Sequence, residues 1–247
     1  MPAIAALQRA NHGKGFRAYG LRGMAALIDP FLGVDHAWMS EPTFPPHPHA
    51  GFSAVSYVFL DSETGILNQD SIGTHNLIQP GGLHWTAAGR GIVHEEVPAE
   101  TGKTVHSLQI FVSLPREQQN MPPAALSLEP QEVPTLQMPG AKVRVPVGHF
   151  NNVHSPLQTP TTVDMLDISL DDGAALVIPV AAGHCTFVMP IFGAVDVDDQ
   201  RFALDDLTLP VFQAQDAPRT IKLHAPQGHA KVMIFSGAPL LSTSTQR

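Results

Sequence analysis

Two short segments of the chain carry pairs of side chains that can bind a divalent metal. His47 and His49 flank a proline in one segment, and His94 and Glu96 flank Glu95 in the other. Alternate residues of an extended strand point to the same face, so each segment would present two donors together while Glu95 points away. If the two strands face each other, three imidazole nitrogens and one carboxylate meet. The spacing therefore predicts one metal site made by His47, His49, His94 and Glu96.

The donor set limits the metals that such a site would hold. Three imidazoles and one carboxylate leave two positions of an octahedron open, an arrangement related to the two-His, one-carboxylate sites of non-haem Fe(II) oxygenases. Nickel, zinc, copper, manganese and cobalt are alternatives, because raw affinity does not select iron. A closed structural zinc site is disfavoured because such sites usually rely on Cys thiolates.

Apolar side chains near the two segments are candidates for a substrate pocket beside the metal. These pocket candidates are Phe44, Phe52, Trp85, Ile92 and Ile110. Hydrophobic residues in strands also often simply fill a core, which is the alternative for each of them. His84 and His106 are candidates for orienting a ligand or relaying a proton, with an ordinary structural role as the alternative.

Turn and strand signals surround the candidate ligands and predict an all-β protein. Glycine punctuates residues 51–91 at short intervals, and residues 52–60 and 107–114 are rich in β-branched and aromatic side chains. A polar, proline-interrupted stretch over residues 115–139 predicts an interdomain linker. A second series of strands is predicted at residues 141–147, 161–170, 174–180, 186–192, 194–197, 207–212 and 230–235. This second half contains no His-X-His or His-X-Glu pair, and the polar residues 242–247 are expected to fray.

Composition excludes several classes of protein. The 247 residues carry a net charge of −8 without a cluster of Lys and Arg, which argues against direct nucleic-acid binding. No apolar run is long enough to span a bilayer, and the first residues lack the pattern of a secretory signal. A single cysteine excludes an intramolecular disulfide framework. We therefore expect a cytoplasmic protein without membrane association.

Three motifs resemble the pirin family of the cupin superfamily. They are His-Pro-His-Ala-Gly-Phe at 47–52, Gly-Gly-Leu-His-Trp-Thr-Ala-Ala-Gly-Arg-Gly-Ile-Val-His-Glu-Glu at 81–96, and Leu-Gln-Ile-Phe-Val-Ser-Leu-Pro at 108–115. The resemblance covers roughly residues 20–115 and implies a bicupin, with two cupin-type β-barrels of the double-stranded β-helix or jelly-roll kind. It implies an N-terminal metal-binding domain at 1–134 and a C-terminal domain without metal ligands at 135–247. It also implies Fe(II), held by the four residues that strand alternation selects.

The resemblance implies a function as well. Several members of the family oxidise the flavonol quercetin with O2, opening its central ring and releasing carbon monoxide, so a planar phenolic compound and O2 are the expected substrates. Glu96 is then a candidate catalytic base as well as a ligand. One alternative is a non-catalytic metal- or redox-sensing protein that regulates a transcription factor or metabolic enzyme by contact. A cupin isomerase acting on a sugar or keto acid is the other, and the Phe and Trp residues near the ligands disfavour it.

Overall fold

β-strands make up almost all of the regular structure of the computed structural model, which describes residues 1–240. The first half contains β1 (Ala3–Ala6), β2 (Gln8–His12), β3 (Phe16–Leu21), the helical turn α1 (Ala25–Ile28), β4 (Phe31–Met39), β5 (His47–His49), β6 (Phe52–Val58), β7 (Ile66–Asp70), β8 (His75–Ile78), β9 (Leu83–Ala87), β10 (Ile92–Pro98), β11 (Val105–Ser113) and β12 (Ala124–Leu128). The second half contains β13 (Thr135–Met138), β14 (Ala141–Val147), β15 (His149–Phe150), β16 (Val153–His154), β17 (Val163–Leu170), β18 (Ala175–Val180), β19 (Cys185–Phe192), β20 (Ala194–Val197), β21 (Gln200–Ala203), β22 (Thr208–Phe212), β23 (Arg219–His224) and β24 (Ala230–Gly237). Short 3-10 turns lie at Arg116–Gln118 and Leu204–Asp206.

Each half of the chain builds a barrel from one seven-stranded and one four-stranded sheet. The sheets of the first barrel have the orders β12-β9-β6-β11-β4-β3-β2 and β5-β10-β7-β8. Those of the second have the orders β1-β22-β19-β24-β17-β14-β13 and β18-β23-β20-β21. The predicted all-β fold of two cupin-type barrels is therefore confirmed. Within residues 1–240, no helix is long and apolar enough to cross a membrane, and the predicted frayed tail at 242–247 lies outside the described residues.

The N-terminal strand joins the barrel formed by the other half of the chain. β1 pairs antiparallel with β22, with Ala3 opposite Val211 and Ala6 opposite Thr208. Apart from β1, strands up to β12 belong to the first barrel and strands from β13 onward belong to the second. The stretch predicted as a linker therefore contains β12, which is a strand of the first barrel. The division at residues 134 and 135 remains a prediction, but β1 belongs with the second barrel. The β1 strand has only four residues, and their apolar side chains do not indicate from the sequence which strand it pairs with.

The largest apolar cluster lies between the two seven-stranded sheets. Phe31 of the first barrel packs edge-on against Phe187 and Phe235 of the second, with ring centroids 5.4 and 5.5 Å apart. A second large cluster fills the interior of the second barrel. Among residues 1–240, the small cluster inside the first barrel contains five buried apolar side chains, namely Met39, Val58, Ile66, Ile78 and Val105. The first barrel therefore has interior space that apolar packing does not fill.

Candidate metal centre

The two metal-competent segments form neighbouring antiparallel strands. In the pairing of β10 with β5, His94 lies opposite His47 and Ile92 lies opposite His49. β5 is the edge strand of its sheet, where Pro48 can sit without removing a hydrogen bond from the sheet interior. Because alternate side chains share a face, both histidines of β5 and His94 of β10 point into the first barrel.

Three imidazoles converge at one point of that interior. The candidate ligand atoms of His47, His49 and His94 all lie within 4.8 Å of one another. Nε2 of His49 is 2.9 Å from Nε2 of His94. Two nitrogens in adjacent positions of an octahedron, each about 2.1 Å from a metal, are about 3 Å apart. The spacing of these nitrogens therefore fits adjacent ligands of a single ion.

The hydrogen bond of His47 and the pKa values of His49 and His94 suit metal binding. Nδ1 of His47 donates to the carbonyl of Pro45 at 2.9 Å, which leaves Nε2 with a free lone pair. Burial, with a smaller contribution from His47, lowers the pKa of His49 to about 4. Burial and the neighbouring histidines lower the pKa of His94 to about 3. His49 and His94 are therefore neutral at physiological pH, the form that coordinates metals.

Glu96 shares the inward face of β10 with His94 and lines the same cavity. Its carboxyl oxygens lie 2.8 and 2.7 Å from the hydroxyl of Ser56, which donates to them. Burial raises the pKa of Glu96 to about 7, and the hydrogen bond from Ser56 only partly offsets this effect. The cluster of three ligand atoms does not include this carboxyl group, so its role as fourth ligand stays a prediction. Glu95 points away and accepts a hydrogen bond from Gln69 at 2.6 Å.

A cavity of about 410 Å³ opens beside these side chains. Its apolar wall includes Phe16 and Phe44, whose rings meet edge-on with centroids 5.0 Å apart. Arg22 and Asp35 form an ion pair on another part of the wall, where Nε of Arg22 donates to Oδ1 of Asp35 at 3.0 Å. The cavity thus combines aromatic side chains with a few fixed polar groups, as small-molecule sites commonly do.

The structure places one of the predicted apolar pocket residues, Phe44, on the cavity wall. Phe52 contacts the ring of His49, with centroids 5.3 Å apart, but does not line the cavity. Ile92 lies opposite His49 in the strand pairing and is buried beside the site without reaching the cavity surface. Phe52 and Ile92 therefore lie beside the histidines and not on the cavity wall.

Trp85 and Ile110 do not line the cavity. Both are fully buried in the apolar cluster between the barrels. The seven-stranded sheet is covered on both faces, by the second barrel on one side and the barrel interior on the other. Successive residues of each strand point to opposite faces of this sheet. Trp85 and Ile110 are on the face that packs against the second barrel, and the residues next to them in the strand point into the first barrel. Trp85 and Ile110 therefore take the alternative role, that of core residues.

His84 and His106 also lie off the cavity wall. Nε2 of His84 accepts from Asn68 at 3.3 Å and its Nδ1 lies 2.9 Å from the hydroxyl of Ser127, while burial lowers the pKa of His84 to about 4. His106 faces out of the barrel. It stacks on Trp38 and lies 2.7 Å from Nε2 of His36. Both histidines therefore belong to local hydrogen-bond networks.

Sequence reasoning missed three residues of β11 that do line the cavity, Ser107, Gln109 and Phe111. They alternate with Leu108 and Ile110, which face the second barrel. The alternation of polar and apolar residues in this strand was visible in the sequence. Its polar side, which usually faces solvent, here faces an internal cavity. Arg22 and Asp35 were missed as well, and no sequence signal marked them.

Comparison with known proteins identifies the family of this chain. The family model named Pirin matches residues 15–112. Pirin of Mus musculus is 32% identical over 216 residues, which are 86% of this chain and 73% of that protein. The chain belongs to the pirin family. A pirin-like protein of Arabidopsis thaliana is 34% identical over 178 residues, 70% of this chain, and a second one is 35% identical over 174 residues, also 70% of it. This pirin-family chain spans only 56% and 53% of the length of these two plant relatives.

Solved structures of bacterial proteins share the two-barrel fold. The protein GK1651 of Geobacillus kaustophilus matches with a TM-score of 0.87 and 26% identity, over 97% of this chain and 96% of that one. A quercetin 2,3-dioxygenase of Acinetobacter baumannii matches with a TM-score of 0.83 and 26% identity, over 97% and 86% of the two chains. The bacterial pirin YhhW of Escherichia coli, crystallised with nickel(II), matches with a TM-score of 0.74 and 18% identity, over 97% and 100%. The last similarity bears on the fold alone.

Proposed function

We propose that this pirin-family chain is a metal-dependent dioxygenase that opens the central ring of quercetin or a related flavonol with O2. The observation that carries the proposal is the convergence of His47, His49 and His94 at the wall of a largely apolar cavity. The likeness to a quercetin 2,3-dioxygenase of Acinetobacter baumannii supports the class of reaction.

Fe(II) is the proposed metal, and the residues present fit it. Two neutral imidazoles with nitrogens 2.9 Å apart and a third whose Nε2 is free to coordinate make a suitable donor set. Glu96 is the proposed fourth ligand. A bound divalent ion would supply a Lewis acid for the flavonol hydroxyl and an electron path to O2.

The protein side chains would bind and orient the flavonol. Phe16, Phe44 and Phe111 offer aromatic surfaces for a planar ring system. Ser107 and Gln109, which line the cavity from the same strand as Phe111, can hydrogen-bond to ring hydroxyls. Glu96 is the candidate to accept the proton of the 3-hydroxyl when its bond to the metal is loose, because one carboxylate cannot serve fully as ligand and base at once.

Anaerobic reconstitution tests the proposal directly. The metal-free protein is loaded with Fe(II), mixed with quercetin and exposed to O2, while flavonol absorbance and carbon monoxide release are followed. We expect turnover that requires metal and is lost in His49→Ala and strongly reduced in Glu96→Gln, with Glu95→Gln as the matched control. Turnover without metal, or unchanged by His49→Ala and Glu96→Gln, would contradict the proposal. Metal binding without any turnover would instead favour the metal- or redox-sensing role.

A further inference from the structure

A buried hydroxyl behind the cavity wall holds Glu96. Ser56 lies on β6 and is almost fully buried. Its Oγ is 2.8 and 2.7 Å from the two oxygens of Glu96 and 3.1 Å from Oε1 of Gln109. Glu96 and Gln109 line the cavity, whereas Ser56 does not. Ser56 is therefore placed to act on a substrate or metal only through its neighbours.

The contact between Ser56 and Glu96 joins the two sheets of the first barrel. Glu96 belongs to the four-stranded sheet that also carries His47, His49 and His94, and Ser56 belongs to the seven-stranded sheet. In residues 1–240, Ser56 supplies the only hydrogen bonds recorded for the Glu96 carboxyl group. Without this donor, no hydrogen bond from residues 1–240 would fix the rotation of the carboxyl group about its last side-chain bonds. A single hydroxyl thus restricts the direction in which Glu96 points.

We propose that Ser56 is a positioning residue that fixes the orientation of the Glu96 carboxyl group in the cavity lined by the three histidines and thereby raises the affinity for the metal. The inference rests on the proposed metal-dependent function and adds a residue to it. Side chains that hydrogen-bond to metal ligands limit the orientations those ligands adopt, and losing such a partner typically costs about 10- to 100-fold in metal affinity. Ser56 meets the geometric requirement because its hydroxyl reaches both carboxyl oxygens from the opposite sheet.

The same strand offers a matched control. Ser53 also lies on β6 and is fully buried, but among residues 1–240 its hydroxyl has no hydrogen-bond partner. Ser53→Ala therefore removes a buried hydroxyl of the same size from the same strand without touching Glu96. Ser56→Thr retains the hydroxyl and serves as the conservative variant.

The test is a calorimetric titration of Ni(II) into metal-free, full-length protein. We expect Ser56→Ala to bind Ni(II) about 10- to 100-fold more weakly than wild type. Ser53→Ala should stay within about twofold, because the Ser53 hydroxyl bonds to none of the residues that the structure describes. Ser56→Thr should recover most of the affinity. Equal affinities for Ser56→Ala and Ser53→Ala would overturn the inference while leaving the proposed metal site intact.

A double-mutant cycle separates positioning from a general structural role. If Ser56 acts through Glu96, then Ser56→Ala should weaken Ni(II) binding much less when Glu96 is already Gln. An equal loss in both backgrounds would contradict the inference even if Ser56→Ala lowers stability. Failure of the wild type to bind Ni(II) would overturn the proposed function and this inference together. Wild-type affinity in Glu96→Gln would count against Glu96 as a ligand and hence also against Ser56.

Discussion

The two barrels have matching strand orders but opposite interiors. β5 and β10 of the first barrel occupy the places that β18 and β23 occupy in the second. The inward positions of β5 and β10 hold three histidines and a glutamate. The inward positions of β18 and β23 hold Leu176, Ile178, Val180, Ile221 and Leu223. The same backbone framework therefore accommodates either a polar site or an apolar core.

Because of this difference, the second barrel contributes more to the free energy of folding, and the first barrel carries the candidate metal site. The second barrel buries a continuous apolar interior, which is the main favourable contribution to folding. The first barrel buries neutral histidines and a carboxyl group, which costs free energy unless these groups find partners. The apolar cluster between the seven-stranded sheets covers one face of the first barrel and offsets part of that cost. In residues 1–240, the one group of His, Cys, Asp or Glu suited to a metal lies in the first barrel.

The largest expected effect tests the stabilising role of the second barrel. Ile221 is fully buried in its core, so Ile221→Ala should lower the free energy of unfolding by about 2–5 kcal/mol. Ile66→Ala in the first barrel should cost less, because Ile66 already borders the cavity and its truncation enlarges an existing space. Urea denaturation of the metal-free variants measures both. A larger loss of unfolding free energy for Ile66→Ala than for Ile221→Ala would contradict the larger contribution of the second barrel to stability.

The next effect concerns metal binding in the first barrel. His49→Ala removes one of two nitrogens that lie only 2.9 Å apart. The affinity for Ni(II) or Fe(II) should fall by more than about 100-fold, because losing a ligand costs more than losing a residue that only hydrogen-bonds to a ligand. His149→Ala in the second barrel is the control and should leave the affinity unchanged. Calorimetric titration measures both variants. A comparable loss in His149→Ala would break the contrast between the barrels.

A pH effect of intermediate size is expected for the metal-free protein. The pKa of Glu96 is about 7 in the folded state against 4.5 ordinarily, so the folded state binds more protons between these values. The stability contributed by protonated Glu96 is complete below pH 4.5 and is lost as pH rises through about 7. Its loss amounts to about 1–2 kcal/mol, since solvent in the cavity reduces the cost of ionisation.

Glu96→Gln isolates this contribution from that of the histidines. Urea denaturation measures the free energy of unfolding of the variant minus that of the wild type. This difference should increase as the pH rises from 5 to about 8, because only the wild type loses stability when Glu96 ionises. The lowered pKa values of His49 and His94 have the opposite sign, because they reduce stability as pH falls below 6.5, but they are common to both proteins. A stability difference that is constant with pH would show that Glu96 is already ionised in the folded protein.

The smallest expected effect comes from the neighbouring glutamate. Glu95 points away from the cavity and bonds to the amide of Gln69 on the outer face. Glu95→Gln should change the metal affinity by less than about twofold and the unfolding free energy by less than about 0.5 kcal/mol. A large loss of metal affinity would mean that the two glutamates have exchanged faces, which a shift of one residue in strand pairing would produce.

Much of the fold was predictable because strand signals are local. The predicted strand at 141–147 coincides with β14, and the prediction at 230–235 falls within β24. The membership of β1 in the second barrel was not predictable, because it depends on pairing with a strand about two hundred residues later. The pocket predictions for Trp85 and Ile110 failed because local alternation does not reveal which of two buried faces borders a cavity.

The sequence by itself determined which side chains are available as ligands and which of them share a face. The alternation of side chains along a strand is a property of the extended backbone, so His47 and His49, or His94 and Glu96, align without any tertiary contact. Only the tertiary structure decided that β5 pairs with β10, which brings three nitrogens together. It also decided that Ser56 reaches Glu96 from the opposite sheet. Such contacts join distant parts of the chain, and their geometry depends on the packing of the whole barrel.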